Sequence, residues 1–415
     1  MIAEIIAIGS ELLTPFRQDT NSLFLTARLN ELGVNVAFKD VVGDTREHLV
    51  SVARTALTRS DILIFMGGLG PTEDDLTREC VAEALGLKLR RDPDLVAELY
   101  ARFAARRITM PENNAQQADV LDGAEVIRNP RGSAPAQWLE GTHDGLARII
   151  ILLPGPPWEL EPLFKDEFIP RLQKVLPKAH IAARVLKIAM LGESVVDAKA
   201  APIYKQYPDV QTTILAGAGE VQFHLKATAD DQEDAEDRVE RLAMALEECF
   251  QDAVFSSHGE TLEEIVALYL QMRGHTIAVA ESCTGGLLAQ RLTAVSGSSR
   301  YFLGGAVVYS NDLKTLFCGV PPLMIAEHGA VSAQVARALA EGIQYETGSS
   351  IGVGITGIAG PTGGTEEKPV GLVYVAVVGK AWEPEVVERK FMGDRERIRH
   401  WASQQALDMI RRKLI

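Results

Sequence analysis

The chain has 415 residues, with 42 lysines and arginines against 56 aspartates and glutamates, a formal net charge of −14. At about 150 residues per domain, that length predicts two to three domains, each large enough to bury a core of its own. Apolar residues at 47% and charged residues at 24% are ordinary globular values, which excludes disordered, collagen-like and disulfide-scaffold chains, and the acidic balance repels nucleic-acid backbones and anionic lipid.

Met1-Ile2-Ala3-Glu4 shows no basic leader, and apolar runs such as Ile149 to Leu153 fall far short of the roughly 18 residues a membrane span needs. The expectation is a cytoplasmic protein that contacts no membrane. Cys80, Cys249, Cys283 and Cys318 form no CxxC pair, and the histidines form no HxxxH or HExxH pair, so reduced thiols and no zinc site are expected.

In chain order, Ile5 to Ile8, Val34 to Val42, Ile62 to Phe65 and Ile149 to Leu153 are short apolar runs of the kind that become buried parallel strands. Amphipathic stretches lie between them: Ser22 to Leu32 closed by Gly33, Arg46 to Thr58, and Leu76 to Leu85 closed by Gly86. This alternation predicts a doubly wound α/β domain over residues 1–175, ending in a helix from Glu159 to Val175, with ligands at the carboxyl ends of the strands.

Residues 176–256 read as a small α+β connecting domain. Val185 to Leu191 is a predicted strand, Val221, Phe223 and Leu225 alternate with polar neighbours, Gly217-Ala218-Gly219 is a hairpin turn, and Val239 to Phe250 is a helix behind an acidic opening. The element order resembles KH-like RNA binders. No GxxG clamp is present and acidic residues outnumber basic ones, so a spacer role is expected and no nucleic-acid partner. Residues 257–415 return to α/β: a helix Thr261 to Met272, strands Thr276 to Ala280, Ala306 to Tyr309, Ile351 to Thr356 and Leu372 to Val378, and a closing helix Arg395 to Lys413.

Two turns carry chemistry. After the third strand comes Gly67-Gly68-Leu69-Gly70-Pro71-Thr72-Glu73-Asp74-Asp75, where glycines admit a close ligand and the following helix N-terminus favours phosphate. Asp74 and Asp75 would repel that phosphate unless a divalent cation lay between them; otherwise they simply complement the helix dipole. In the third segment, Glu281-Ser282-Cys283-Thr284-Gly285-Gly286 ends a strand and opens a helix, which would hold up a hydroxyl beside N–H groups free for an oxyanion. His275 and His328 offer no reason to choose either as the base. Lys314, past the next strand, would suit if burial or a cationic neighbour lowered its pKa by roughly 3 units; on an exposed helix it would be inert. Cys283 competes with Ser282 as nucleophile, but successive residues leaving a strand point to opposite sides, so one of them faces the pocket.

The series GSELL, DTN, VGD, GGLGPTEDDLT, MPENNAQQA, NPRGSAP and LLPGPPWE across residues 1–170 resembles the MoaB/MogA-type fold as it occurs in the CinA, or competence and damage-inducible, family. The series AESCTGG, YSNDLK, HGAVS, GITGIAGPTGGTEEKPVG and GDR across residues 258–415 resembles the C-terminal CinA domain, which also occurs alone as the PncC-type nicotinamide mononucleotide deamidase. For the first segment the resemblance implies ADP-ribose pyrophosphate hydrolysis, with Glu11, Asn21, Gly67, Gly68, Gly70, Thr72 and Gly155 on the substrate and Asp74 and Asp75 on a divalent ion, Mg²⁺ or Co²⁺. Thr14-Pro15 and Ala136 depart from the family's glycines there. For the third segment it implies Ser282 as nucleophile with Lys314 as its base, Tyr309 beside the nicotinamide ring, Arg395 toward the anionic part, and Thr356, Gly357, Gly360, Gly363 and Gly364 around the phosphate, with no cofactor. It also implies a homodimer and a place in pyridine nucleotide salvage. The alternative is a regulatory protein without turnover whose first domain binds a molybdopterin-like ligand.

Overall fold

The computed structural model describes residues 1–177, 180–380 and 382–415, in two compact units, Met1–Ile181 and Ala182–Ile415. In the first unit β1 (Ile2–Ile8), α1 (Asn21–Glu31), β2 (Asn35–Val42), α2 (Arg46–Arg59), β3 (Ile62–Met66) and α3 (Thr77–Leu85) alternate. They are followed by β4 (Leu89–Arg91), α4 (Pro93–Ala105), β5 (Asp119–Leu121), β6 (Glu125–Ile127), β7 (Ala136–His143) and β8 (Leu146–Leu153). The predicted last helix begins earlier, as α5 (Pro157–Leu163), and runs through a π turn at Phe164–Phe168 into α6 (Ile169–Val175).

Six strands form one sheet in the order β2-β1-β3-β8-β7-β6, parallel from β2 to β8 and antiparallel beyond. The central strands are continuous apolar runs because both faces are covered. Ile6, Ile8, Leu63 and Phe65 pack under α2, α3 and α4, while Ile5, Ala7, Ile62 and Ile64 pack under α1, α5 and α6. The chain leaves β1 on one side to form β2 and returns on the other to form β3, so a topological switch opens a crevice at their carboxyl ends.

The second unit holds two sheets. The first is built from β9 (His180–Ala189), α7 (Glu193–Tyr204), β10 (Val210–Gly217), β11 (Glu220–Ala229), α8 (Gln232–Phe250) and β12 (Val254–Ser256), in the order β10-β11-β9-β12. Val221, Phe223 and Leu225 face Val239, Leu242 and Leu246 of α8, and the alternate residues stay outside the core. The expected strand Val185 to Leu191 starts earlier and stops at Ala189, because Met190 takes a left-handed conformation (φ 60°) to bond Gly219 O.

The second sheet comes from α9 (Leu262–Met272), β13 (Ile277–Glu281), α10 (Leu287–Ala294), β14 (Phe302–Val307), α11 (Asn311–Cys318), α12 (Pro322–His328), α13 (Ala333–Thr347), β15 (Ile351–Gly357), β16 (Leu372–Gly379), β17 (Trp382–Lys390) and α14 (Arg395–Leu414). Its order is β14-β13-β15-β16-β17, with β13 parallel to both neighbours and another switch point beside it. The strand expected at Ala306 to Tyr309 is instead Phe302–Val307, which leaves Tyr309 on a loop. Gly304-Gly305 interrupts the apolar pattern, yet glycine is needed there: a Cβ on Gly305 would stand 2.6 Å from Val279 Cγ2 and 2.7 Å from Val279 O.

Helix α14 joins both parts of this unit. Arg411 is 2% exposed and Asp408 is 2% exposed; they pair at 2.8 Å, and the guanidinium also donates to Asp252 O at 2.5 Å. Asp408→Ala leaves Arg411 buried without its carboxylate, so chemical denaturation should show a loss of about 3–5 kcal/mol, while Arg337→Ala in an exposed pair should cost under about 1 kcal/mol.

Candidate active sites

In the first unit a cleft of about 520 Å³ lies at the switch point. It is lined from the carboxyl end of β1 by Gly9 and Glu11, from β3 by Gly67, Gly68 and Gly70, and from β8 by Gly155, with Asn21, Asp74 and Asp75 on its wall. Gly67 (φ 97°) has to be glycine, since a Cβ would run into Ile8 O. The turn is held by its carbonyls. Thr77 Oγ1 donates to Gly67 O at 2.8 Å, Arg78 donates to Leu69 O and Gly70 O at 2.8 and 3.0 Å, Asn113 Nδ2 to Pro71 O at 2.9 Å, and Gln116 Nε2 to Thr72 O at 3.0 Å. Among the described residues, the N–H groups of Gly68, Leu69 and Gly70 have no hydrogen-bond acceptor, an arrangement suited to an anion.

Several expected ligand residues are spent on the cleft itself. Thr72 sends both its N–H (2.9 Å) and its hydroxyl (2.6 Å) to Asp75 Oδ2 and does not line the cleft. Asn21 Nδ2 donates to Gly155 O at 2.7 Å, tying α1 to the end of β8. Asp74 and the second oxygen of Asp75 remain as donors to a cation. The described residues contain no group of three or more His, Cys, Asp or Glu side chains arranged for a metal; two carboxylates are the number Mg²⁺ commonly takes, with phosphate and water completing its shell.

In the second unit the carboxyl ends of β13, β14 and β15 meet. Ser282 directly follows β13, its N–H bonded to Ile355 O at 3.0 Å and its carbonyl to Gly285 N at 3.1 Å, which closes a tight turn. The buried carboxylate of Glu281 accepts from Gly286 N (3.1 Å), Leu288 N (3.1 Å) and Ala289 N (2.8 Å) and so fills the N-terminus of α10. Those three N–H groups are therefore taken, whereas the N–H groups of Cys283 and Thr284, beside Ser282, have no acceptor among the described residues. Val308 N bonds Glu281 O at 2.8 Å, which brings the start of the Tyr309-Ser310-Asn311-Asp312-Leu313-Lys314 segment alongside.

Lys314 is 2% exposed, on the inner face of α11. Its Nζ donates to Tyr309 O at 3.2 Å, and burial pushes its pKa below the ordinary lysine value. No hydrogen bond joins it to Ser282 Oγ among the described residues; such contacts commonly tighten only with substrate. Arg395 donates to Gly360 O at 2.9 Å and to the Tyr309 hydroxyl at 2.8 Å, so these three expected residues do meet. Thr356 is buried and its hydroxyl donates to Ala330 O at 2.7 Å, which ties the end of β15 to the loop before α13. Lys368 Nζ ties the Gly357 to Gly364 loop down through His328 O (2.7 Å) and Val331 O (2.8 Å). Gly364 could carry no side chain there, because a Cβ would lie 2.8 Å from Val370 N.

Sequence reasoning passed over Arg78, Lys368 and Arg399, which donates to Thr284 O through Nε (3.0 Å) and Nη2 (2.6 Å). A faint signal existed for two of them. Arg78 stands three and four residues before the buried Val81 and Ala82, and Arg399 three and four before the buried Ala402 and Ser403, so each falls on a helix face that looks inward.

Three family models cover the chain: the probable molybdopterin binding domain over residues 4–174, the damage-inducible protein CinA KH domain over 183–256 and the CinA C-terminal domain over 259–414. A CinA-like protein of Koribacter versatilis is 67% identical over 415 residues, all of both chains. The chain belongs to the CinA family. A putative competence-damage inducible protein of Moorella thermoacetica is 44% identical over all of this chain and 99% of its own. Among solved structures, a competence/damage inducible protein of Agrobacterium tumefaciens is 38% identical over 36% of this chain and 90% of its own, at a TM-score of 0.35. The CinA architecture is thus a MoaB/MogA-like domain, a KH-like middle domain and a C-terminal α/β domain.

Cys283, next to the exposed end of the turn, sits in the core with Val279, Leu288 and Ile355, and burial pushes its thiol up to about 12. Little thiolate forms at neutral pH. Iodoacetamide should therefore leave Cys283 unmodified in the folded protein, as peptide mass mapping would show, and Cys283→Ala should retain most of any activity of this site.

Proposed function

We propose that the C-terminal domain hydrolyses the carboxamide of nicotinamide mononucleotide to nicotinate mononucleotide and ammonia. The observation that carries this reading is a lysine buried on the inner face of α11, its pKa lowered by that burial, in the loop cluster of a serine turn. Neutral Lys314 accepts the Ser282 hydroxyl proton as Oγ bonds to the carboxamide carbon. The C–N bond then breaks, and the proton goes from Lys314 to the departing nitrogen, giving ammonia and an ester on Ser282. Water, deprotonated by the same lysine, hydrolyses that ester and returns Ser282 to its hydroxyl form. Tyr309 offers an exposed ring for the nicotinamide, held in place by Arg395, and the loop through Gly360, Gly363 and Gly364 offers backbone to the phosphate.

The N-terminal cleft suits pyrophosphate hydrolysis of ADP-ribose. Unpaired N–H groups at Gly68, Leu69 and Gly70 would hold phosphate, and Glu11, Asn21 and Gly155 would line the remainder. A divalent ion such as Mg²⁺ or Co²⁺, on Asp74 and Asp75, would supply charge compensation for the two phosphates. A binding domain without turnover is the rival reading, favoured by the commitment of one Asp75 oxygen to Thr72. Both activities would act on pieces of NAD, and a homodimer in the cytoplasm belongs to the same reading.

For the C-terminal site the acid limb of kcat/KM should fall below the ordinary lysine range, since activity needs neutral Lys314 and burial lowers the pH at which it loses its proton. Lys314→Arg keeps the charge but cannot give up a proton, so ammonia release should fall by about 100-fold or more, as in Lys314→Met. Retention of activity in the arginine variant would remove Lys314 as base. For the N-terminal site, EDTA and Asp75→Asn should each abolish ADP-ribose hydrolysis while leaving deamidation intact; hydrolysis that survives chelation would exclude the metal.

A further inference from the structure

We propose that Arg399 is a positioning residue for Ser282, acting through the backbone of the turn and not through substrate; the inference rests on Ser282 being the nucleophile. The turn from Ser282 to Gly285 is fixed at three points by main-chain and carboxylate contacts: Ser282 N on Ile355 O, Gly285 N on Ser282 O, and Glu281 on the N–H groups that follow. One carbonyl in it, Thr284 O, accepts from Leu287 N at 3.3 Å where the chain enters α10. Arg399 grips it with two N–H groups, at 3.0 and 2.6 Å. The guanidinium also packs near Gly285, where a Cβ would stand 3.6 Å from its Nη2.

What gives this grip consequence is the helix it comes from. Asp394 caps α14 by accepting from Arg397 N at 2.8 Å, and Arg395 and Arg399 stand four residues apart on one face of it. Arg395 holds Gly360 O and Tyr309, the groups proposed to receive substrate, while Arg399 holds the nucleophile turn. Further along, Gln404 accepts from Arg291 at 2.5 Å, and Arg411 donates to Asp252 O, so the helix is anchored in the core and cannot slide freely. A single rigid rod therefore sets the distance between the serine and the substrate loop. Arg399 touches no expected substrate atom, and its loss should release Ser282 without unseating the ligand.

Two readouts on the full-length protein test this. The first is the rate at which an alkyl fluorophosphonate labels Ser282, followed by peptide mass mapping; the second is kcat and KM for ammonia release from nicotinamide mononucleotide. A displacement of about 1 Å at a reacting group can cost about 100-fold. Arg399→Gln should slow labelling and lower kcat by about 10- to 100-fold with KM within about twofold of wild type and an unchanged melting temperature. Arg399→Lys, which keeps one donor on Thr284 O, should recover part of both rates. Labelling of Arg399→Gln at the wild-type rate, a loss expressed in KM, or a lysine variant no better than glutamine would overturn the proposal. Wild-type protein that is labelled at Ser282 but releases no ammonia would refute the substrate reading while the labelling ratio still decides the role of Arg399. Wild-type protein that is not labelled would overturn both.

Discussion

The C-terminal site depends on where one buried carboxylate goes. Glu281 ends β13 with its side chain 1% exposed, and a carboxylate taken out of water needs several hydrogen bonds to be tolerated there. It finds them in three N–H groups of the segment that opens α10. Between strand and helix the chain makes a short turn in which Ser282 and Cys283 are both buried, at 8% and 5% exposed. Of the two adjacent nucleophiles of the proposed reaction, Cys283 is disfavoured by a desolvated setting that suppresses its thiolate.

Both α/β domains place their candidate sites by the same topological device. In each, a strand is flanked by the next two parallel strands in the chain, one on either side, so the connecting loops diverge and a crevice opens above it. The N-terminal domain fills that crevice with glycines whose carbonyls are held by Arg78, Asn113 and Gln116, which leaves N–H groups for an anion. The C-terminal domain fills it with a serine turn, a buried lysine and a loop fixed by Thr356 and Lys368. In both, neutral backbone groups would do most of the holding under the proposed function, which suits phosphate ligands in a chain of net charge −14.

The strands at Ile5 to Ile8, Ile62 to Phe65 and Thr276 to Ala280 are legible in the sequence because burial on both faces leaves continuous apolar runs, and Gly33 and Gly86 stop the helices that follow the first two. β14 is misplaced by four residues because Gly304-Gly305 looks like a break in sequence, whereas in space it admits Val279 of the neighbouring strand. Short strands such as β4, β5 and β6 carry too few residues for a periodic signal. Tyr309, Gly360 and Arg395 come together, while the hydroxyls of Thr72 and Thr356 are taken by Asp75 and Ala330 O. Arg78 and Arg399 escaped notice for one reason: their partners are backbone carbonyls, whose positions no side-chain pattern records.

The clamped-serine mechanism requires a covalent ester on Ser282 during turnover. Acid quenching of the protein in the steady state with nicotinamide mononucleotide, followed by peptide mass analysis, reads this directly. The mechanism predicts an acyl adduct on Ser282 that accumulates to a greater extent when water attack is slowed by lower pH, with Cys283 unmodified. An adduct on Cys283, or full ammonia release with no adduct at any pH and undiminished in Ser282→Ala, would contradict it.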